Sequence, residues 1–306
     1  MRALHFAEYG PPDVLRVADV PEPHPGPAQI RIRVRASGVT PGDTYLRSGR
    51  FREMIPLSLP HVPGVDAAGV VDEIGPAVTG VRPGDEVFGL TDLARLGGAN
   101  AELAVLAAWA PKPAAMSWAE AGGAAANVET ATRALDRLGV GGGARLLIEG
   151  AAGGVGTVAV QLAVARGALV TGTASERNHD FLRSLGAVAT TYGPGLAERV
   201  PGKVDAVLDC AGSGSLPELV KLAGDASRVV TVADLGGAAH GVHMSRSGGG
   251  PGADPQALHG LAIAAGLAGQ GRFRVPVAGV WPLEQAARAH ELSETGHARG
   301  KIVLTL

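Results

Sequence analysis

The sequence predicts an α/β chain in which a barrel-like β domain is interrupted by a doubly wound domain with a parallel sheet. Three observations predict it. The first third reads as short strands cut by Gly/Pro turns. The middle alternates strand and helix. Arg145–Thr157 passes from a short apolar strand through glycines into a helix.

Gln29–Arg35 alternates apolar and basic residues, which puts Ile30, Ile32 and Val34 on the inner face of a half-buried strand. Pro21–Pro27 before it runs extended. Gly69–Ile74 and Asp85–Phe88 are further short strands, punctuated by Gly75-Pro76 and Arg82-Pro83-Gly84. Short strands with such turns suit a compact barrel. From Ser117 the texture changes. Ser117-Trp118-Ala119-Glu120 fits a capping box and predicts a helix to about Leu138. Strands at Arg145–Ile148, Ala168–Thr173, Val204–Asp209 and Arg228–Val232 then alternate with helices. Those helices are expected at Thr157–Arg166, Arg177–Leu185 (closed by Gly186), Leu216–Leu222 and Gln256–Ala268. This alternation gives a parallel sheet with helices on both faces. Ser245–Gly252 reads as a mobile loop. Phe273–Val277 returns to β character, Pro282 opens a helix to about Glu294, and Lys301–Leu306 is a strand expected to rejoin the barrel. The expected division is 1–115 plus 270–306 for the barrel and 116–269 for the insert.

The glycine turn Ala151–Gly156 carries the chemistry. Strand, glycine turn and helix place a pyrophosphate on a helix N-terminus, where free N–H groups and the helix dipole hold the anion. With 46 glycines in 306 residues, chance clusters are expected. Gly141-Gly142-Gly143 is one, since no strand precedes it and no amphipathic helix follows. The flanking elements distinguish Ala151–Gly156, although Gly150, Gly153 and Gly156 are not the strict G-x-G-x-x-G spacing.

Composition narrows the function. A formal charge of −2 and 4% aromatic residues give no electrostatic or stacking basis for nucleic-acid or anionic-membrane partners. No apolar run approaches the roughly 20 residues that span a bilayer. The single cysteine, Cys210, rules out an intrachain disulfide and a four-cysteine zinc site. It suits a reducing cytosol, so a cytoplasmic location is expected.

Five motifs in order resemble the medium-chain dehydrogenase/reductases, specifically their zinc-independent NADPH:quinone oxidoreductase branch. Gly38–Gly49 resembles that branch's N-P-x-D-x-Y-x-R-x-G segment, and Val62–Val71 its P-G-x-D-x-A-G-x-V. Val81–Gly89 resembles its G-D-x-V turn, Ala151–Gly156 its cofactor loop and Gly296–Leu304 its closing strand. The resemblance implies a GroES-like β-barrel catalytic domain with an inserted Rossmann-type nucleotide-binding domain. Zinc-dependent relatives carry Gly-His-Glu where this chain has Gly64-Val65-Asp66, and no cysteine precedes Cys210. His61 and Asp66 remain nearby, and no metal site is expected.

The resemblance also implies cofactor contacts at Thr130, Ala152, Gly153, Gly154, Val155, Ser175, Arg177, Tyr192 and Val232. At the end of the second strand of the insert, Ser175 offers a hydroxyl and Arg177 a planar cation, which together suit the 2′-phosphate of NADPH. Glu176 between them could instead accept from a 2′-hydroxyl, and Ser175 could simply cap a helix. Tyr192 is expected near the adenosine. A family Asn is Thr40 here, a side chain that donates one hydrogen bond, and Thr40 stands with Tyr45 as a candidate catalytic residue. Tyr45 is the candidate proton donor or orienter of a water, against a plain cleft-wall role; Asp43 and Arg47 are expected to tie down its loop. Cys210 reads as packed core.

The expected reaction is NADPH-dependent hydride transfer to a quinone or α,β-unsaturated carbonyl, a small electrophilic acceptor. Two alternatives stand beside it: an enoyl-thioester reductase of polyketide or fatty-acid metabolism, and a non-catalytic NADPH-binding sensor. A homodimer is expected through an edge formed by Arg228–Asp234 and Gly241–Ser245.

Overall fold

The computed structural model describes residues 1–247 and 252–306. It divides into two compact units, Met1–Ala126 with Leu261–Leu306, and Asn127–Gly260. The second unit is narrower than the 116–269 span read from the sequence.

In chain order, β1 (Arg2–His5) and β2 (Arg16–Asp19) are followed by β3 (Ile30–Val39), helix α1 (Pro41–Arg47), β4 (Asp66–Ile74), β5 (Glu86–Leu90), β6 (Leu103–Leu106) and β7 (Ala108–Pro111). Helices α2 (Trp118–Gly122) and α3 (Ala125–Arg137) lead to β8 (Arg145–Glu149), α4 (Gly154–Ala165), β9 (Leu169–Thr173), α5 (His179–Ser184), β10 (Val188–Thr190) and α6 (Leu196–Arg199). Then come β11 (Ala206–Asp209), α7 (Leu216–Ala223), β12 (Val229–Thr231), β13 (His243–Met244), α8 (His259–Gly269), β14 (Val277–Pro282), α9 (Ala286–Glu294) and β15 (Lys301–Thr305).

The first unit is built on a sheet ordered β14-β15-β3-β4-β5-β7, with β6 also paired to β3. Alternation in β3 buries Ile30, Ile32 and Val34 and exposes Arg33 and Arg35, as its pattern dictates. Those three pack with Val71, Val87 and Leu106. A second cluster joins Leu4, Phe6, Val39, Leu283, Ala289 and Leu304. Each of the Val, Leu, Ile and Phe side chains among them contributes about 1.5–3 kcal/mol on burial. β15 rejoins the sheet as expected, antiparallel to β3 with Ile302 opposite Val39, and parallel to β14.

The second unit holds a sheet ordered β10-β9-β8-β11-β12-β13, parallel at every neighbouring pair. The chain runs outward from β8 to β10, returns to place β11 beside β8, and continues the other way. Right-handed crossovers therefore put helices on both faces, with a switch point between β8 and β11. Leu147, Val207, Leu216, Leu219 and Val229 form the core under α7.

Several elements differ from the sequence reading. The helix expected from Ser117 to Leu138 is broken at Gly123. A Cβ on Gly122 would strike Ala36, and one on Gly123 would strike Lys301, so α2 packs against β3 and β15 only with both glycines there. α4 begins at Gly154 and not Thr157, so half of the glycine turn is the helix's first turn. The strand expected at Phe273–Val277 lies at Val277–Pro282, because pairing with β15 starts at Val277. Phe273 and Val275 are buried outside it. Pro282 thus ends an edge strand, where its missing N–H is tolerated, and a 3-10 turn over Leu283–Gln285 precedes α9. α8 starts at His259 and not Gln256. Pro41–Arg47, expected to be loop, is α1; Thr40 and Asp43 form a reciprocal capping box there. Within Ser245–Gly252, residues 248–251 lie outside the described residues.

Candidate cofactor site

At the switch point, β8 is followed by Gly150, whose left-handed φ of 71° turns the chain into Ala151–Gly153. Gly153 caps α4 and, having no side chain, leaves the first-turn N–H groups of Gly154 and Val155 without a side-chain acceptor. A Cβ on Gly156 would overlap the Gly150 carbonyl oxygen, so only glycine lets helix and loop close this tightly. Small residues, outward N–H donors and the positive end of a helix of 12 residues fit a diphosphate.

The strands around this loop end in buried polar residues: Thr190, Thr173, Glu149, Asp209 and Thr231. Thr190 is in register with Thr173, and Asp209 with both Glu149 and Thr231. Four of these side chains, all but Thr190, fix a turn or a neighbour by hydrogen bonds: Thr173, Asp209, Thr231 and Glu149. Thr173 Oγ1 accepts from Gly150 N–H at 3.2 Å. Asp209 Oδ1 accepts from Ala211 and Gly212 at 2.8 and 3.0 Å. Thr231 Oγ1 accepts from Ala233 and Asp234 while donating to Asp209. Glu149 accepts from the hydroxyls of Ser215 and Ser213; burial pushes its carboxyl up and Ser215 pulls it back. This polar row was not apparent in the sequence, because it is assembled from five separated strand ends.

Ser175 and Arg177 follow β9. Ser175 makes no side-chain cap to the turn after it. Its Oγ accepts from Asn178 Nδ2 at 3.2 Å, which leaves its own proton available. Arg177 is exposed, and its guanidinium has no partner among the described residues. Tyr192 follows β10 and is 59% exposed. The two loops leave the sheet side by side, joined by Ala174 N–H to Thr190 O at 3.0 Å. Val232, half-buried, follows β12 and donates its N–H to Asp209 O at 2.9 Å. Thr130 is on α3, beside a buried ion pair in which Arg133 grips Glu129 at 2.8 and 3.2 Å; Arg133 Nη2 also reaches Thr130 Oγ1 at 3.4 Å. Cys210 is half-buried, and burial with the Asp209 and Glu149 charges pushes its thiol well up, which suits packing and not attack.

In the first unit, Thr40 donates its hydroxyl proton to Asp43 Oδ2 at 2.7 Å, so its one donor serves the cap of α1. Asp43 Oδ1 accepts from Gly64 N–H at 2.9 Å, joining two sequence motifs. Tyr45 is 36% exposed and stands edge-on to Phe51, with the Arg50 guanidinium 4.6 Å from its ring centre. Its hydroxyl has no partner among the described residues. Arg47 is fully buried and pairs with Glu294. His61 is half-buried, with Nε2 3.1 Å from Leu96 O. Asp66 is committed to Lys301 and to the N–H of Ala126. Among the described residues, no group of three or more His, Cys, Asp or Glu is arranged to hold a metal ion. No helix among them is long and apolar enough to cross a membrane.

A small-residue loop at the switch point of a parallel sheet, in a unit inserted between the sequence parts of a β-sheet unit, defines a class: proteins with a dinucleotide-binding type of fold. Comparison with known proteins narrows it. Residues 26–134 match the alcohol dehydrogenase GroES-like domain, and residues 185–304 the zinc-binding dehydrogenase family. The chain is 32% identical to the NADPH-dependent alkenal/one oxidoreductase of Arabidopsis thaliana, over 99% of this chain and 79% of that protein. It is 31% identical to the quinone oxidoreductase of Mus musculus, over 100% and 98%. The 2-methylene-furan-3-one reductase of Solanum lycopersicum is 34% identical over 76% of this chain, which spans 62% of that protein's length. The crystal structure of Escherichia coli quinone oxidoreductase complexed with NADPH has a TM-score of 0.77 at 26% identity, with 100% of both chains covered. The chain belongs to the medium-chain dehydrogenase/reductase superfamily, in its quinone oxidoreductase branch, and is an oxidoreductase.

Proposed function

We propose that the protein is an NADPH-dependent, zinc-independent reductase of quinones or α,β-unsaturated carbonyls. The observation that carries this is the pairing of the uncapped α4 N-terminus with a Ser175 hydroxyl whose proton is not donated and an Arg177 guanidinium without a partner among the described residues, both following the next strand. The N–H groups of Ala152–Val155 take the diphosphate. Ser175 and Arg177 take the 2′-phosphate, and Tyr192, Val232 and Thr130 complete the cofactor contacts. Bound NADPH would supply hydride to the electrophilic carbon. Tyr45, with its free hydroxyl, donates or relays the proton that the resulting enolate or hydroquinone anion needs. Thr40 holds the start of the helix that carries Tyr45. The names of the Arabidopsis and mouse relatives support this reading. Zinc-independence is supported by His61 and Asp66 being engaged elsewhere. We further propose a homodimer through the β13 edge and a cytoplasmic location, to which the single thiol is suited.

The test is oxidation of NADPH by metal-stripped enzyme with quinones, alkenals, enones and enoyl thioesters, followed by nicotinamide absorbance. Turnover of quinones or enones, faster with NADPH than with NADH and unaffected by chelator, is expected. Preference for thioesters would select the enoyl-thioester reductase. Binding without turnover would select a sensor. A requirement for added zinc would refute the reading.

A further inference from the structure

We propose that Arg199 is a positioning residue for the adenosine end of the cofactor, acting through the turn that carries Tyr192. The inference rests on the cofactor reading above. α6 is a single turn, fixed by Leu196 and Val200 in the hydrophobic core with Leu147, Val204 and Val207. Arg199 is its last residue. From that anchored base the guanidinium reaches back over the preceding turn. The two N–H groups of Nη2 are shared among the carbonyls of Thr191, Tyr192 and Gly193 at 3.2, 3.4 and 3.0 Å, and Nη1 donates to that of Pro194 at 2.8 Å. Four successive carbonyls thus converge on one planar cation.

Among the described residues, little else hydrogen-bonds to the turn. Gly193 and Gly195 both sit at left-handed φ, 85° and 77°. Flexible glycines on either side of Pro194 would otherwise leave Tyr192 free to sample many directions. A Cβ on Gly195 would press against the Arg199 guanidinium and the Glu198 carboxylate, so glycine here also gives the clasp its room. The Tyr192 ring is itself 59% exposed and needs an external reason to hold one place. Its loop is hydrogen-bonded to the one bearing Ser175 and Arg177 through Ala174 and Thr190. Every hydrogen bond that Arg199 makes among the described residues goes to a carbonyl of this loop, so its role is to the loop and not to a phosphate. It therefore affects NADPH and NADH alike, whereas Arg177 distinguishes them.

The experiment measures Kd for NADPH and NADH by fluorescence quenching on the full-length wild type, Arg199→Ala, Arg199→Lys, Tyr192→Ala and the Tyr192→Ala/Arg199→Ala double variant. Arg199→Ala is expected to weaken both nucleotides by a similar factor, roughly fivefold, the scale of one lost base-stacking contact. The double variant should be no weaker than Tyr192→Ala alone, because a clasp has no effect once the ring it aims is gone. Arg199→Lys keeps the charge but cannot span four carbonyls, and should resemble Arg199→Ala. Wild-type affinity in Arg199→Ala, full retention by Arg199→Lys, or losses that multiply in the double variant would each overturn the proposal. Failure of the wild type to bind either nucleotide would overturn the cofactor reading itself.

Discussion

Lys301 Nζ lies 3.3 Å from Asp66 Oδ2, and the two side chains are 3% and 0% exposed. Asp66 Oδ2 also accepts the N–H of Ala126, in the first turn of α3, at 3.1 Å. Burial pushes the Asp66 carboxyl up, and the Lys301 charge and the Ala126 bond pull it back. A charge pair sealed this deeply is hard to break from one side. Lys301→Met should cost about 3 kcal/mol in urea unfolding, and Asp66→Asn combined with Lys301→Met should recover most of that. Wild-type stability in Lys301→Met would show that the pair holds nothing.

Arg177 has no partner among the described residues, which leaves its guanidinium free for a phosphate. Arg177→Ala should raise KM for NADPH about tenfold and leave KM for NADH unchanged. An equal rise for both nucleotides would assign Arg177 to the shared part of the cofactor, and Glu176 would become the candidate ribose contact.

Tyr45 is judged by a different split. Tyr45→Phe keeps the ring against Phe51 and Arg50 and removes only the hydroxyl. It should lower kcat by about tenfold or more with unchanged NADPH affinity, as loss of a positioned acid does. An unchanged rate would make it a wall of the acceptor pocket.

His290 sets an acid limit. It is fully buried on α9, and neither ring nitrogen has a hydrogen-bond partner among the described residues. Burial lowers its pKa to about 4; the Asp43 charge opposes that shift and the Arg47 charge adds to it. Glu294, one turn on along the same helix, is occupied by Arg47. The folded ring stays neutral while the unfolded chain takes up a proton below its ordinary 6.5. Stability is therefore complete above about pH 6.5 and declines as pH falls toward about 4, by at most roughly 3 kcal/mol. Urea unfolding of wild type and His290→Gln across that range should show a shallower acid decline in the variant. Parallel curves would remove His290 as the cause.

Much of this was legible locally. Ile30, Ile32 and Val34 declared an inner face by alternation alone, and Arg145–Ile148 with its glycines declared the first strand and turn of the insert. Ser117 and Glu120 announce α2 by the same reciprocal cap that Thr40 and Asp43 use for α1. What local pattern cannot carry is contact between distant residues. Nothing near Gly122 foretells that Ala36 will press against it, and nothing near Asp66 names Lys301. Nothing in the sequence marks Arg199, since its acceptors are backbone carbonyls, which leave no trace in residue type. The strand end at Pro282 was misplaced for a related reason: its register is set by β15 and not by its own residues.

The placement of β15 between β3 and β14 has a consequence for synthesis. Residues 36–39 leave the ribosome more than 250 residues before the strand that pairs with them, and the parallel sheet is translated entirely in that interval. The inserted unit can mature while its host still has an open seam, and the host is closed only once β15 has been made. An arrested nascent chain lacking Lys301–Thr305 should therefore expose a protease-sensitive first unit around an already resistant second one.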